Sequence, residues 1–397
     1  MKVLVADKLP QTALAGFTDA GFEVVADAGL KDSALVAAIA ENQPQILVVR
    51  STKVPEAALA AGPLGLVIRA GAGYNNVDCE AASRLGIYVA NCPGKNAIAV
   101  AELTWGLIVA LDRRIPECVN DLRAGQWRKK TYGKARGLYG RTLGVVGLGE
   151  IGRQVVARAK AFGMPVVAWS RSLTEADAEA LGVCQAHSPL EVARHADVVS
   201  VHVALTPETK GMIDSEFFSA MKPGAFFVNT SRGEVCDAEA LRTAVATGRR
   251  VALDVWSVQP KDAEAPFEDP LGKEEGVYGT HHIGASTQQA QEAVADEALR
   301  VAVAFKTTGE VPNCVNLARA TPAPCTLVIR HLDRVGVLAA VLGVLREGQI
   351  NVQEMENVLF SGQGAAACAT IRVSKLPASD LLERLGALEH VLNVEVK

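Results

Sequence analysis

The sequence predicts an α/β protein made of two doubly wound parallel-sheet domains, followed by a smaller α+β unit. Three observations carry this. From Lys2 to about residue 93, short apolar runs alternate with amphipathic ones; a glycine-punctuated stretch, LGVVGLGEIG, opens a second such alternation at Leu143; and after Cys325 the order changes to β-α-β-β-α-β. A chain of 397 residues has room for two or three domains of roughly 150 residues each.

In the first alternation the strands are KVLVAD, FEVVAD, QILVVR, LGLVIRAG and IYVANCP, separated by helical stretches such as DSALVAAIAE. Parallel strands joined by right-handed crossovers bind ligands beyond their carboxyl ends. Two of those ends carry unusual groups. QILVV is followed by Arg50, Ser51, Thr52 and Lys53, and LVI by Arg69 and the turn AGAGYNN, ending at Asn76. Gly71 and Gly73 let the backbone face a ligand, and the N–H groups of such a turn can hold an anion. Arg50, Ser51, Lys53, Gly73 and Asn76 are therefore candidate substrate residues, set against the alternative of solvated surface charge.

AIAVAELTWGLIVALDRR reads as a helix of four to five turns. The basic cluster behind it (Arg128, Lys129, Lys130, Lys134 and Arg136) reads as solvated, or as an arm reaching a partner's anion site. Next comes the strand–turn–helix with Gly147, Gly149 and Gly152 in G-x-G-x-x-G spacing and Glu150 and Ile151 inside the turn. Such a Rossmann-like unit holds a pyrophosphate at a helix N-terminus. An NAD site commonly places an acid about 20 residues on. Here that place holds Ser170 and Arg171, which lean to the 2′-phosphate of NADP, while the charge of Glu150 leans to NAD.

The later strands each deliver a polar group at the same edge: His202 after VVSV; Thr230, Ser231 and Arg232 in NTSRGE; Asp254 in ALDVW and then Gln259; and His282 in HHIGAST, followed by Ala285. Arg232, Gln259 and His282 form a candidate catalytic set, combining a carboxylate binder, a hydrogen-bond partner and a base. Strand alternation turns His281 to the opposite face.

The helix QEAVADEALRVAVAFKTTG is expected to return to the first domain. The boundaries follow: 1–96 with 286–312 for substrate, 97–285 for the dinucleotide, 313–324 as a proline-containing linker, and 325–397 as the last unit. A net charge of −4 gives no sign of nucleic-acid or membrane partners. Eight scattered cysteines without a C-x-x-C pair read as thiols of a reducing compartment and bind no metal. With no signal peptide and no long apolar run, the expectation is a soluble cytoplasmic protein.

The motifs RSTKV, RAGAGYNNVD, AELTWGLIVALDR, GLGEIG, NTSRGE, ALDVW and HHIGAST, spread over about residues 46 to 290, resemble the D-isomer-specific 2-hydroxyacid dehydrogenases, in particular the branch acting on 3-phosphoglycerate in serine synthesis. The resemblance implies hydride exchange between a D-2-hydroxy acid and NAD or NADP. Arg232 would pair with the substrate carboxylate, His282 would take the hydroxyl proton, Asp254 would hold the nicotinamide carboxamide, and Arg50, Ser51 and Lys53 would meet a distal phosphate. It also implies a homodimer or homotetramer. Three positions depart from the family pattern: Gln259 stands for its catalytic glutamate, as in formate dehydrogenases; Ser170 for its cofactor-selecting acid; and Asn75 for its common aspartate. An NADPH-dependent hydroxypyruvate or glyoxylate reductase and a catalytically impaired regulatory protein remain as alternatives.

The last unit resembles an ACT domain, a module that binds amino acids between paired copies. His331, Asp333 and Asn351 match or approach its serine-binding pattern, with Asp333 in place of asparagine and Val335 in place of proline. Serine regulation and ligand-free dimerisation both stay open.

Overall fold

A computed structural model of the chain describes residues 1–260, 264–318, 322–362 and 365–397. The chain divides into two compact units, Met1–Asn316 and Leu317–Lys397. The first holds two parallel sheets, as expected for an α/β protein.

Five strands make the first sheet: β1 (Lys2–Val5), β2 (Glu23–Ala26), β3 (Ile46–Val49), β4 (Leu66–Arg69) and β5 (Tyr88–Asn91), in the order β2-β1-β3-β4-β5. The order reverses between β1 and β3, so the residues following these two strands flank the crevice where such sheets bind ligands. Those residues are Asp7–Lys8 and Arg50–Lys53. β3 is buried throughout, which suits an apolar run covered on both faces. One of the covers is the helix Gln288–Thr308, which buries Val294, Ala298, Val301 and Ala302 against Val3, Val5 and Phe17, so the chain does return to this layer.

Seven strands make the second sheet: β6 (Leu143–Val146), β7 (Val166–Trp169), β8 (Cys184–Gln185), β9 (Val198–Val201), β10 (Phe226–Asn229), β11 (Val251–Leu253) and β12 (Val277–Gly279), in the order β12-β11-β10-β9-β6-β7-β8. The two-residue β8 carries too little pattern to be read from sequence. The switch point lies between β6 and β9, and the glycine turn opens directly onto it. The 17-residue helix Ala97–Arg113 packs on this sheet through Ala101, Trp105, Ile108 and Leu111.

The expected linker is partly built into the first unit. Cys314 bridges Ala90 in β5, Val315 N–H donates to Val89 O at 2.8 Å, and the Asn316 amide accepts from Val89 N–H at 2.8 Å and donates to Ile87 O. These bonds occupy the free edge of β5, which composition alone does not reveal. Residues 319–321 of that stretch lie outside the described residues.

In the second unit β13 (Cys325–Leu332), β14 (Val352–Leu359), β15 (Ala366–Val373) and β16 (Val391–Val396) form an antiparallel sheet ordered β14-β15-β13-β16. The helices Val337–Glu347 and Ser379–Gly386 cover one face through Val341, Leu345, Leu381 and Leu385. Among the described residues no helix is long and apolar enough to cross a membrane.

Candidate active site

The glycine turn meets the steric demands of a dinucleotide site. Gly147 has φ +102°, and a Cβ there would lie 2.6 Å from His202 O. A Cβ on Gly152 would collide with Gly147 O, whereas one on Gly149 would project into open space. That space lies at the start of the helix Glu150–Ala161, where unpaired N–H groups gather, so a side chain at 149 would fill the room a pyrophosphate needs. The residues present thus fit a dinucleotide. Ile151 and Gly152 belong to the first turn of this helix. Ser170 and Arg171 follow β7, beside the turn, and Gly147 N–H donates to Trp169 O at 2.8 Å.

Several expected cofactor residues are engaged otherwise. The Glu150 side chain packs against Gly94, in the loop after β5. His202 is buried, with Nε2 2.7 Å from Ser200 Oγ, and burial pushes its pKa down to about 3. Its ring serves the interior, while its backbone meets Gly147. The Thr230 hydroxyl is 3.0 Å from that of Thr104, and the Ser231 hydroxyl donates to Asn229 Oδ1 at 2.7 Å. Asn229, at the end of β10, also accepts from Ser231 N–H and donates to Arg232 O, which fixes the turn carrying Arg232. Sequence reading gave Asn229 no role because a strand-end amide has no pattern of its own.

The catalytic candidates do converge. Gln259 Nε2 and Oε1 lie 2.9 and 3.0 Å from His282 Nδ1. A carboxylate could only accept a proton from this nitrogen; the amide can either accept from it or donate to it, and so supports either ring tautomer. Asp254 holds the loop of His282 from both sides. Its Oδ1 accepts from Thr280 Oγ1 at 2.6 Å and Ile283 N–H at 2.9 Å, and its Oδ2 from Gly284 N–H at 2.9 Å. Between these anchors His282 adopts φ +55°, a left-handed conformation that costs a non-glycine residue energy and concentrates at functional sites. Ala285 follows the last anchor. The pKa of His282 is lowered, first by lost hydration in the cleft and then by Arg232 and Arg69, against the opposing pull of Asp254 and Glu234.

Arg69, noted at its strand end in the sequence but left out of the candidate set, joins the site in the structure. Burial, then Arg232 and Arg50, bring its pKa down to about 10, and its Nε is buried without a partner. Its guanidinium occupies the space beside Gly71, and Arg232 Nη2 lies 2.5 Å from where a Cβ of Gly73 would be. The glycines at 71 and 73 therefore make room for guanidinium groups from both sheets. Three mutually repelling cations held together are a site for an anion. Strand-end position hinted at Arg69, but its neighbours could be known only from the fold.

The loop after β3 lines, with Lys8, Gln259 and His282, a cavity of about 1100 Å³ that includes Arg50, Ser51 and Lys53. The backbone N–H groups of this loop are turned to Asp7. Asp7 Oδ2 accepts from the N–H groups of Arg50, Ser51 and Thr52 at 2.6, 3.1 and 3.0 Å, and Asp7 Oδ1 from Ser51 Oγ at 2.9 Å. Burial raises the Asp7 pKa, but these bonds outweigh it and hold the carboxyl below its ordinary range. Asn76 is likewise committed, donating to Thr52 O at 2.7 Å. Asp7 and Asn76 thus shape the loop, and Arg50 and Lys53 line the cavity. His281 also departs from expectation: β12 ends at Gly279, alternation does not extend to it, and it lines the same cavity as His282.

In the second unit the three effector candidates do not meet within one chain. His331 is paired with Ala367, while Val352, next to Asn351, is paired with Val373 at the opposite end of the sheet. The His331 ring is buried, Nδ1 2.8 Å from Leu332 O and Nε2 3.1 Å from Asn357 Oδ1. The small Ala367 and Ala369 of β15 let it reach across to β14. Asp333 is exposed in the loop after β13.

Comparison with known proteins agrees with this geometry. Residues 105–284 match the family model of the D-isomer specific 2-hydroxyacid dehydrogenase, NAD binding domain. The chain is 41% identical over 297 residues to D-3-phosphoglycerate dehydrogenase of Methanocaldococcus jannaschii, covering 74% of this chain and 55% of the relative. To the enzyme of that name from Mycobacterium bovis it is 37% identical over 378 residues, covering 90% and 69%. It spans little more than half the length of several such relatives. Among solved structures, an NAD+-bound 3-phosphoglycerate dehydrogenase of Entamoeba histolytica aligns with a TM-score of 0.66 and 28% identity, over 80% of this chain and 99% of that one. A protein of Thermus thermophilus aligns with a TM-score of 0.71 and 33% identity, over 79% of this chain and all of its own.

Proposed function

Because the chain belongs to the D-isomer specific 2-hydroxyacid dehydrogenase family, we propose that it transfers a hydride between 3-phosphoglycerate and a nicotinamide cofactor. The observation that carries this reading is the gathering of Arg69 and Arg232 about the Gly71–Gly73 turn, with Arg50 in electrostatic reach of Arg69 and both turn arginines in reach of the Gln259-bonded imidazole of His282. The forked guanidinium of Arg232 pairs with the substrate carboxylate and thereby fixes the carbon bearing the hydroxyl. Gln259 orients the ring so that the free Nε2 of His282 takes the hydroxyl proton, or returns it in reduction. Arg69 adds a second cation at the carboxylate, and Arg50 and Lys53 receive the distal phosphate. Asp254 keeps one further lone pair for a nicotinamide carboxamide. The cofactor, when bound, supplies the hydride acceptor or donor.

Ser170 and Arg171 support NADP over NAD, since neither would repel a 2′-phosphate. Those two residues also favour a second reading, an NADPH-dependent reductase of hydroxypyruvate or glyoxylate. Turnover of 3-phosphoglycerate, glycerate, 2-hydroxyglutarate and formate, each with NAD and with NADP, separates the two. We expect the phosphorylated acid to be preferred and His282→Ala to abolish turnover. A preference for unphosphorylated acids would overturn the main reading.

The second unit is read as an ACT-like regulatory module. With Asn351 and the His331–Asp333 end at opposite ends of the sheet, an antiparallel pair of copies brings one copy's Asn351 to the other's Asp333, so serine or another amino acid would bind only between subunits of a dimer or tetramer. The eight unpaired cysteines suit a reducing cytoplasm.

A further inference from the structure

His281 stands beside the proposed proton-transfer residue without a part in the mechanism above. Its loop is rigidly held. Asp254 binds Thr280 on one side and Ile283 and Gly284 on the other, and Trp256 Nε1 donates to Thr280 O at 2.9 Å. Two consecutive imidazoles are thus presented from a fixed backbone. His282 is engaged by Gln259, whereas His281 is exposed and has no hydrogen bond or ion pair among the described residues. It nevertheless lines the same cavity as Lys8, Arg50 and Lys53.

An unpartnered imidazole on a fixed loop, in a cavity lined by Lys8, Lys31, Arg50 and Lys53, is a donor awaiting an acceptor. A neutral imidazole gives one N–H and an imidazolium two, and in both states it is a better partner for a phosphate oxygen than for a hydroxyl or an apolar group. Two carboxylates, Asp7 and Asp32, also line the cavity; that of Asp7 is consumed by the loop after β3, and the four cations outnumber the pair.

We propose that His281 is a specificity-determining residue that binds the phosphate end of the substrate together with Lys8, Arg50 and Lys53. The proposal rests on the reaction assigned above and deepens it: the substrate is selected by a phosphate-binding group on the same loop as the proton-transfer residue. Binding and chemistry are then fixed by one set of anchors, those of Asp254.

The test compares the intact protein with His281→Ala and His281→Gln, measuring kcat/KM for 3-phosphoglycerate and for glycerate with the preferred cofactor. A hydrogen bond to a charged group sets the scale, so the ratio of the two values should fall about tenfold in His281→Ala. His281→Gln keeps an N–H donor and should recover part of the loss. The loss should be in KM more than in kcat, which a merely structural role would not produce. An unchanged ratio, or an equal fall for both acids, overturns the proposal while leaving the dehydrogenase reading in place. If the parent protein turns over neither acid, it is the dehydrogenase reading that fails.

Discussion

Replacing Gln259 by glutamate tests how this site manages its proton. The amide atoms lie 2.9 and 3.0 Å from His282 Nδ1, so a carboxylate in the same rotamer would stand about 3 Å from the ring. Two unit charges at that distance interact by about 1.4 kcal/mol in the dielectric of bulk water and by about 5.5 kcal/mol at an effective value of 20. Both side chains are exposed, so the water limit is the appropriate one. It corresponds to about one pKa unit upward for His282. Oxidation needs neutral imidazole, so the acid limb of its kcat/KM profile should move up by about one unit in Gln259→Glu. Reduction needs imidazolium, and its basic limb should move up by the same amount. Initial rates in both directions across pH 5 to 10 provide the measurement. Limbs that stay in place, or move down, would refute the electrostatic account of Gln259.

Two further substitutions examine the scaffold. Asp7→Asn replaces an acceptor of four hydrogen bonds with an amide whose NH₂ opposes them; we expect a loss of about 1–3 kcal/mol in chemical denaturation near neutral pH and a raised KM for 3-phosphoglycerate. Because the folded-state pKa of Asp7 lies below 3.8, its contribution is complete above that value and disappears as pH falls through the lower folded value, so the gap between variant and parent should narrow on acidification. Gly149→Ala places its methyl in open space and should keep the parental Tm while weakening NAD(P)H binding in a fluorescence titration; Gly147→Ala, with φ +102° and His202 O in the way, should lower Tm. Equal Tm losses in the two glycine variants would remove the distinction drawn between them.

The fold was largely legible because its signals are local. Apolar runs, helical spacing and the glycine turn each declare themselves within a dozen residues, and they gave every strand of the first unit except the two-residue β8, and all four strands of the second. Residues whose role lies in a distant partner were not legible. Asp7 is a strand-end acid in the sequence, and only the sheet order β2-β1-β3 shows that it faces the loop 50–52. Ser51 and Asn76 had suitable chemistry for a ligand, but Asp7 and Thr52 claim it first. His281 was misassigned by carrying the period of a strand past its end at Gly279. Asn351 was grouped with His331 on a pattern of residue types, whereas antiparallel register sets the two at opposite ends of the sheet.

The charges around His282 also bear on why a glutamine can occupy position 259. Lost hydration, Arg232 and Arg69 lower the pKa of the ring, while Asp254 and Glu234 oppose them without prevailing. A carboxylate at 259 would offset this permanently. A substrate offsets it only when present, since its carboxylate neutralises the guanidinium groups that oppose protonation. The ring is then neutral and a ready base in the free protein, and an anionic ligand raises its pKa so that more of it is protonated and able to donate. A substrate bearing both carboxylate and phosphate brings more compensating charge than one bearing a carboxylate alone. Glutamine at 259 therefore leaves the protonation of His282 dependent on occupancy of the arginine cluster.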